Sequence, residues 1–313
     1  MDIFDFKKVK PMLIKYAEAP FNSVDYIYEL KLDGIRCIAY LDKGGTELRT
    51  RNNLSLIRRF PELSQIHKQV VDKCILDGEL VVIKNEVPDF FEVQRRIILN
   101  DNFKIQLASK QLPASYVAFD ILYYADKEVS DRQLMVRKSL LETCINENSR
   151  IAISRFIEER GIELYQAAES KKLEGVVAKK KDSLYLQDKK SKDWIKFKRL
   201  ADEDCVICGY VLKRPMNALI LGQYIEDKLV YRGSVSFGVN LNFLREYKCK
   251  PLSYSPFTGE PENRMDGETG VFWIEPSIVC TIEYMPNTKD SLRQSVFKGI
   301  REDILPKECK VVL

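Results

Sequence analysis

Beyond Leu200 the chain changes texture, and that change constrains its fold more than any other feature of the sequence. Before it, strand-like and helix-like stretches are interleaved. After it, short strands follow one another with little helical periodicity. Ala201-Asp202-Glu203-Asp204 makes a short acidic joint at the change. Residues 205–212, 218–225, 229–236 and 277–284 then read as strands, with Glu226-Asp227 as a hairpin turn. Strands at that spacing predict a small β-barrel of about 110 residues. Residues 251–270 form a loop rich in Pro, Gly and Ser. A boundary near 200 also suits the length, 313 residues, because roughly 150 residues per domain gives two domains.

The first part reads as α+β. Residues 26–32 alternate and form a strand, and 37–41 form a second strand after the turn dipeptide Asp33-Gly34. Helical stretches fall in 53–71, and a strand over 75–83 is broken by Asp77-Gly78. Residues 90–99 predict a helix, and 116–123 a strand rich in aromatic and β-branched residues. Ser130 starts a helix towards Ile145, with Gln133 three residues on in a capping-box arrangement. Another helix covers 162–171, and 175–180 and 193–198 are strands.

Composition narrows the chemistry. Hydrophobic residues at 45% and charged residues at 31% describe a globular chain, not a disordered one. No stretch reaches the roughly 18 apolar residues that span a bilayer. The first ten residues carry Asp2 and Asp5 and no long apolar run, so no secretory signal is expected. A cytoplasmic location is expected, with the nucleus of a eukaryote also open, and no membrane partner is expected. The eight cysteines are then expected as reduced thiols. Cys205-Val206-Ile207-Cys208 has no second pair, so its thiols belong to a buried strand and not to zinc. His67 is the single histidine, which makes Ser–His–Asp, Cys–His and multi-histidine metal chemistry poor candidates. Catalysis must use Lys, Arg, Asp, Glu or a bound metal. Residues 1–200 hold 36 basic and 30 acidic residues, a net +6, and 201–313 hold 14 and 16, a net −2. The segment 171–199 has 11 Lys/Arg against 4 Asp/Glu. An anionic partner for the first part fits this, as does a solvated charged face.

The sharpest local pattern is Glu29-Leu30-Lys31-Leu32-Asp33-Gly34-Ile35-Arg36. In an extended strand Glu29, Lys31 and Asp33 share one face, and Tyr28, Leu30 and Leu32 the other. Gly34 permits a tight turn and Arg36 returns on the next strand. A lysine among acids with an arginine close by is a candidate for reaction at phosphate. To act as a nucleophile it must lose a proton, against an ordinary pKa of about 10.4. A surface strand of mixed charge is the other reading of this stretch taken alone.

Further blocks decide between the two. Lys31-x-Asp33-Gly34-x-Arg36 resembles motif I of the covalent nucleotidyltransferases, which comprise ATP-dependent DNA ligases, RNA ligases and capping enzymes. In family order follow Arg51-Asn52, Leu76-Asp77-Gly78-Glu79-Leu80, Tyr116-Val117-Ala118-Phe119-Asp120-Ile121-Leu122, Glu174-Gly175-Val176-Val177-Ala178-Lys179, Trp194-Ile195-Lys196-Phe197-Lys198, and the segment from Arg293 to Asp303. One such motif is weak evidence, but seven in order are strong. Pro11-Met12-Leu13, Phe60-Pro61-Glu62-Leu63 and Pro88-Asp89-Phe90 resemble the ligase domain of bacterial DNA ligase D, here expected as a stand-alone ligase.

The resemblance implies an adenylation (nucleotidyltransferase) domain over 1–200, with antiparallel sheets and flanking helices. An OB-fold barrel over 201–313 would follow it. It implies an ATP-dependent DNA ligase that seals 3′-hydroxyl/5′-phosphate nicks in duplex DNA through Lys31-AMP and a DNA adenylate. Glu29 and Leu30 would meet the adenine edge, and Phe119 would stack on the base, although alternation also allows a plain core Phe beside Val117 and Ile121. Arg36, Arg51, Lys179, Lys196 and Lys198 would surround the nucleotide and its phosphates. Glu79, Glu174 and Asp33 are the carboxylates for Mg²⁺ or Mn²⁺, with ribose contact the other role for Glu79. Arg301 and Asp303 would orient pyrophosphate. Relatives often carry a basic residue after that Asp, where this chain has Ile304, and Lys298 or Lys307 are candidates to compensate. A monomer acting in DNA repair or end joining, nucleoid-associated in a bacterium, is expected, and a Ku-like end-binding partner is left open. An RNA ligase or RNA-capping nucleotidyltransferase is the alternative enzyme, and a non-catalytic nucleic-acid-binding protein the alternative class.

Overall fold

The computed structural model describes residues 2–17, 19–198, 200–212, 216–258, 270–285 and 292–311. Of the loop expected over 251–270, residues 259–269 lie outside the described residues. The chain divides into two compact units, Met1–Lys198 and Arg199–Leu313.

The first unit holds two sheets. One orders Leu13–Tyr16, Lys190–Lys198, Gly175–Lys180, Tyr26–Leu30 and Phe156–Glu158. The other orders Gly45–Thr50, Ile35–Asp42, Cys74–Lys84, Ala114–Tyr124 and Lys127–Glu128, with Val87–Pro88 and Ile151–Ile153 alongside. Pairing is antiparallel except between Leu13–Tyr16 and Lys190–Lys198 and between Ala114–Tyr124 and Ile151–Ile153.

Each sheet buries both faces, so its strands are apolar on both sides. Cys37, Ala39 and Leu41 pack one way, with Phe60, Val93 and Leu141. Ile38 and Tyr40 point the other way, into a layer with Met12, Tyr185 and Trp194 that joins the two sheets. Behind the five-stranded sheet, Tyr28, Val176, Ala178 and Phe197 pack on Leu164 and Ala168 of the helix Gly161–Ser170.

Several local expectations change. The strand expected over 26–32 ends at Leu30, and Asp33-Gly34 does not close a hairpin. The next strand, Ile35–Asp42, belongs to the other sheet, where it pairs with Cys74–Lys84. Gly34 sits at the crossing: a Cβ there would lie 2.1 Å from the carbonyl oxygen of Leu80. The crossing therefore needs a residue without a side chain. Residues 74–84 form one strand, not two, with a register shift at Asp77-Gly78. The helical signal in 53–71 becomes three 3₁₀ turns. The helix expected from Ser130 starts at Leu134, because the Ser130 hydroxyl donates to Glu128 (2.5 Å) and caps nothing. The helix Asn102–Gln111, which the sequence reading passed over, starts where Asp101 accepts from the Lys104 amide.

The second unit is the expected barrel. Its strands run in the order Lys228–Val235, Ala218–Ile225, Ala201–Val211, Val271–Met285, with Arg293–Arg301 on the far side of the last. A parallel bridge from Phe237 to Val296 brings the two ends of the sheet together. Cys205, Ile207, Leu219, Leu221, Ile278 and Cys280 fill the interior. The acidic joint 201–204 is part of a strand. Asp204 accepts from the Thr281 hydroxyl (2.6 Å) and Glu203 pairs with Arg232 (3.1 Å), so tertiary partners overrode a loop-like composition. Cys205 and Cys208 are both buried in that strand, on opposite faces. Among the described residues no cluster of three or more His, Cys, Asp or Glu is arranged to hold a metal.

Candidate active site

Cross-strand pairs share a face of a sheet, and this builds one wall of a cleft in the first unit. Glu29 pairs with Val177, Val177 with Lys196, and Lys179 with Trp194. All of these side chains, with Lys198 two residues beyond Lys196, therefore lie on the face opposite Val176, Ala178 and Phe197. The facing wall is Arg36, Glu79 and Phe119 from the seven-stranded sheet, and Lys31 and Leu30 complete the lining. The cleft takes in about 400 Å³ of space, open side included.

Lys31 stands just past the end of its strand, and its amide donates to the carbonyl of Gly175 (2.9 Å). That approach is close because Gly175 has φ +144° and its Cβ would lie 2.0 Å from the carbonyl oxygen of Phe197. The glycine thus draws three chain segments together. As a result Lys31 Nζ meets Glu174 Oε2 at 2.7 Å, and Lys198 Nζ lies 3.8 Å from Glu174 Oε1.

Behind Lys31 the charges are buried. Glu29 is 2% exposed and is shared by Lys179 (3.1 Å) and Lys138 (2.5 Å). Lys179 Nζ also sits 4.4 Å from the ring centre of Phe119 and 4.2 Å from that of Trp194. Burial pushes the Lys179 ammonium down to about 8, with Glu29 pulling it back up and Lys138 lowering it further. Burial also lowers Lys196, and repulsion from Lys31 adds to that. Glu79 moves the opposite way: burial pushes its carboxyl up to about 8, against the pull of Lys31 and Arg36 and with the push of Glu174 and Asp77. A cation or a polyphosphate entering the cleft would reverse these penalties.

Two residues have surroundings that the sequence did not show. Arg36, expected on phosphates, lines the cleft and already has three of its five N–H groups engaged. Nε and Nη2 hold Asp77 at 3.0 and 2.6 Å, and Nη1 holds the carbonyl of Met12 at 2.7 Å. Phe119 does not share a face with Ile121. Asp120 pairs with Asp77 and Ala118 with Gly78, which leaves Phe119 as the extra residue of a bulge. Phe119 then packs by Trp194, edge-on at 6.2 Å, while Ile121 enters the opposite core. Buried Asp120 fixes the bulge, accepting from the Ile121 amide (2.8 Å) and gripped by Arg137 (2.8 and 2.9 Å).

The structure thus brings together Glu29, Leu30, Lys31, Arg36, Glu79, Phe119, Glu174, Lys179, Lys196 and Lys198. Asp33 lies in the crossing and Arg51 is exposed, and neither lines the cleft. Arg301 and Asp303 belong to the second unit, where they form a two-pronged ion pair (2.8 and 2.7 Å). There Lys298 pairs with Glu283 and Lys307 with Asp227, and Ile304 packs against apolar neighbours. Sequence reasoning missed Lys138, Asp77, Tyr185 and Trp194 as parts of this site. Two of them carried a signal: Trp194, by its place on the lysine-bearing face of its strand, and Asp77, by its place in the block 76–80.

Comparison with known proteins gives a consistent picture. The family described as ATP dependent DNA ligase domain matches residues 11–198, and the ATP dependent DNA ligase C terminal region matches 213–304. The chain is 32% identical over 311 residues to the multifunctional non-homologous end joining protein LigD of Pseudomonas aeruginosa, covering 94% of this chain and 36% of that protein. It is 28% identical over 330 residues to DNA ligase C1 of Mycolicibacterium smegmatis, covering 99% of this chain and 94% of that one. Among solved structures, mycobacterial DNA ligase D complexed with ATP and MES is similar in fold, with TM-score 0.58 and 24% identity over 97% of this chain and 98% of that one. The chain spans less than half the length of the LigD proteins it matches, from 36% to 49%.

Proposed function

Because the chain belongs to the ATP-dependent DNA ligase family, we propose that it seals 3′-hydroxyl/5′-phosphate nicks in duplex DNA by way of an adenylated Lys31. The observation that carries this is Lys31 held by Glu174 beside Lys198, at the mouth of a cleft walled by Phe119 and Trp194. The first unit is the adenylation domain and the second its OB-fold partner.

Lys31 Nζ, as the neutral amine, attacks the α-phosphorus of ATP. An N–P bond forms, the bond to the β-phosphate oxygen breaks, and pyrophosphate leaves. Glu174 is the hydrogen-bond acceptor in reach of that amine. A 5′-phosphate oxygen of the nick then displaces Lys31 and takes the AMP. The 3′-hydroxyl oxygen attacks the 5′-phosphorus, AMP leaves, and the strand is sealed. Each step is displacement at phosphorus, so the protein contributes position and charge. Lys196 and Lys198, about 7 Å apart by strand rise, grip the phosphates. Phe119 offers its ring to adenine.

Glu79 and Glu174 would hold Mg²⁺ or Mn²⁺, and two carboxylates completed by phosphate oxygens suit such an ion. The metal would neutralise charge on the triphosphate. The high position of the Glu79 carboxyl fits this, since a cation is what would keep it ionised in so buried a place. In this reading Asp33 is the third carboxylate for the metal, Arg301 and Asp303 orient the leaving pyrophosphate, and Arg51 meets a phosphate of the nucleotide or of the DNA. The protein works as a monomer in the cytoplasm, on the nucleoid in a bacterium, in repair or end joining.

The test is sealing of a nick with a labelled 5′-phosphate. ATP should support it and GTP should not, and Lys31→Ala should abolish it. Sealing by Lys31→Ala with ATP would remove the nucleophile from the proposal. A GTP-charged enzyme that leaves DNA nicks open would replace it with an RNA-directed one.

A further inference from the structure

Tyr185 stands outside every motif singled out in the sequence. It lies between the strands Gly175–Lys180 and Lys190–Lys198 and is 4% exposed. Its ring meets Trp194 edge-on, at 5.7 Å and 86°. Its hydroxyl donates to Asp77 Oδ2 at 2.6 Å and accepts from the Met12 amide at 3.0 Å.

Arg36 engages the same two residues. It holds both carboxylate oxygens of Asp77 and the carbonyl of Met12. The four residues thus close a ring of hydrogen bonds. Met12 and Tyr185 belong to segments that lead into the five-stranded sheet, and Arg36 and Asp77 are strand residues of the other. The ring therefore ties one wall of the cleft to the other. It also sets the aromatic rings: the Arg36 guanidinium lies 5.3 Å from the centre of Phe119 and 5.8 Å from that of Trp194.

We infer that Tyr185 is a positioning residue of the nucleotide cleft, whose hydroxyl locks Asp77 and Arg36 and so fixes the gap in which Phe119 meets a purine. The inference rests on reading the cleft as the ATP site. Tyr185 is not among the residues that line the cleft. It acts through the Asp77–Arg36 pair: without the hydroxyl, Asp77 Oδ2 would be held by Arg36 alone and the Met12 amide would lose its acceptor, which would let that pair shift.

The test compares Tyr185→Phe with the wild type in the adenylation step alone, with ATP varied and Lys-AMP counted. The Phe variant keeps the ring on Trp194 and loses only the hydroxyl. KM for ATP should rise about tenfold, the scale of one hydrogen bond to a charged group, with kcat within about twofold. The same ratio should appear in the Kd for ATP when both proteins also carry Lys31→Ala, where nothing reacts. Both constants are read at a temperature well below the Tm of either protein, so that the folded fraction is close to one in each and does not enter KM or Kd. An unchanged KM and Kd, or a loss confined to kcat, would overturn the positioning role. A wild type that forms no Lys-AMP would instead sink the ligase reading and leave the direct Kd comparison to judge Tyr185.

Discussion

Lys179 shows at the residue scale how this cleft is charged. It is a buried ammonium near two aromatic rings, sharing Glu29 with Lys138. Its folded-state value, about 8, lies below its ordinary 10.5. Between those values the unfolded chain still holds a proton that the folded chain has released. Stability therefore rises with pH across that window and is flat below it. Relative to Lys179→Met, the wild type should gain on the order of 2–3 kcal/mol between pH 8 and 10.5. Urea unfolding of both proteins at pH 7.5 and pH 10 reads this directly, and a constant difference would contradict the buried-ammonium account. Phe119→Ala makes a second residue-scale case. If the ring carries adenine, KM for ATP should rise by about tenfold or more, while sealing of a pre-adenylated nick, held largely by its DNA contacts, falls much less. Equal losses in both assays would return Phe119 to the core. Lys31, Glu174 and Phe119 could be picked out of the sequence because each sits in an ordered motif. Lys138 and Tyr185 could not, because they lie outside the motifs and their partners are as far as 173 residues away; Asp77 lies in a motif, but its grip on Arg36 and Tyr185 leaves no local trace.

At the scale of elements, Gly34 decides whether the two sheets can meet. A methyl group there would collide with backbone, the Leu80 carbonyl, at 2.1 Å. Gly34→Ala should therefore lower Tm by several degrees and cut adenylation together with it. A variant as stable and active as the wild type would show that the crossing is looser than described. Most elements were legible because they alternate or repeat locally: Ala114–Tyr124, Gly161–Ser170 and Gly175–Lys180 fall within two residues of their expected bounds. Which sheet a strand joins was not legible. Ile35–Asp42 looked like the partner of Tyr26–Leu30, but it pairs with residues 74–80, and such long-range pairing leaves no local trace. The bulge at Phe119 was hidden for a similar reason. Strict alternation places 117, 119 and 121 on one side, and the count is broken by the pairing with Asp77-Gly78 and by Arg137 gripping Asp120, both distant in sequence.

At the scale of the whole molecule, charge is divided unevenly, net +6 over 1–200 and −2 over 201–313. If the first unit carries most of the phosphate contacts, nick affinity should fall linearly in log–log form as salt rises. A flat response would contradict a backbone-dominated grip. The order of the two units could be read from the change of texture at 200, and barrel closure through Phe237 and Val296 could not, since that bridge joins residues 59 positions apart. The central claim is chemical and concerns one atom. The most direct measurement is peptide mass spectrometry of the protein after incubation with ATP and Mg²⁺, before and after a chase with nicked DNA. The account predicts one added AMP on the peptide that contains Lys31, and its disappearance as the nick is sealed. An AMP on any other residue, or one on Lys31 that nicked DNA never removes, would contradict it.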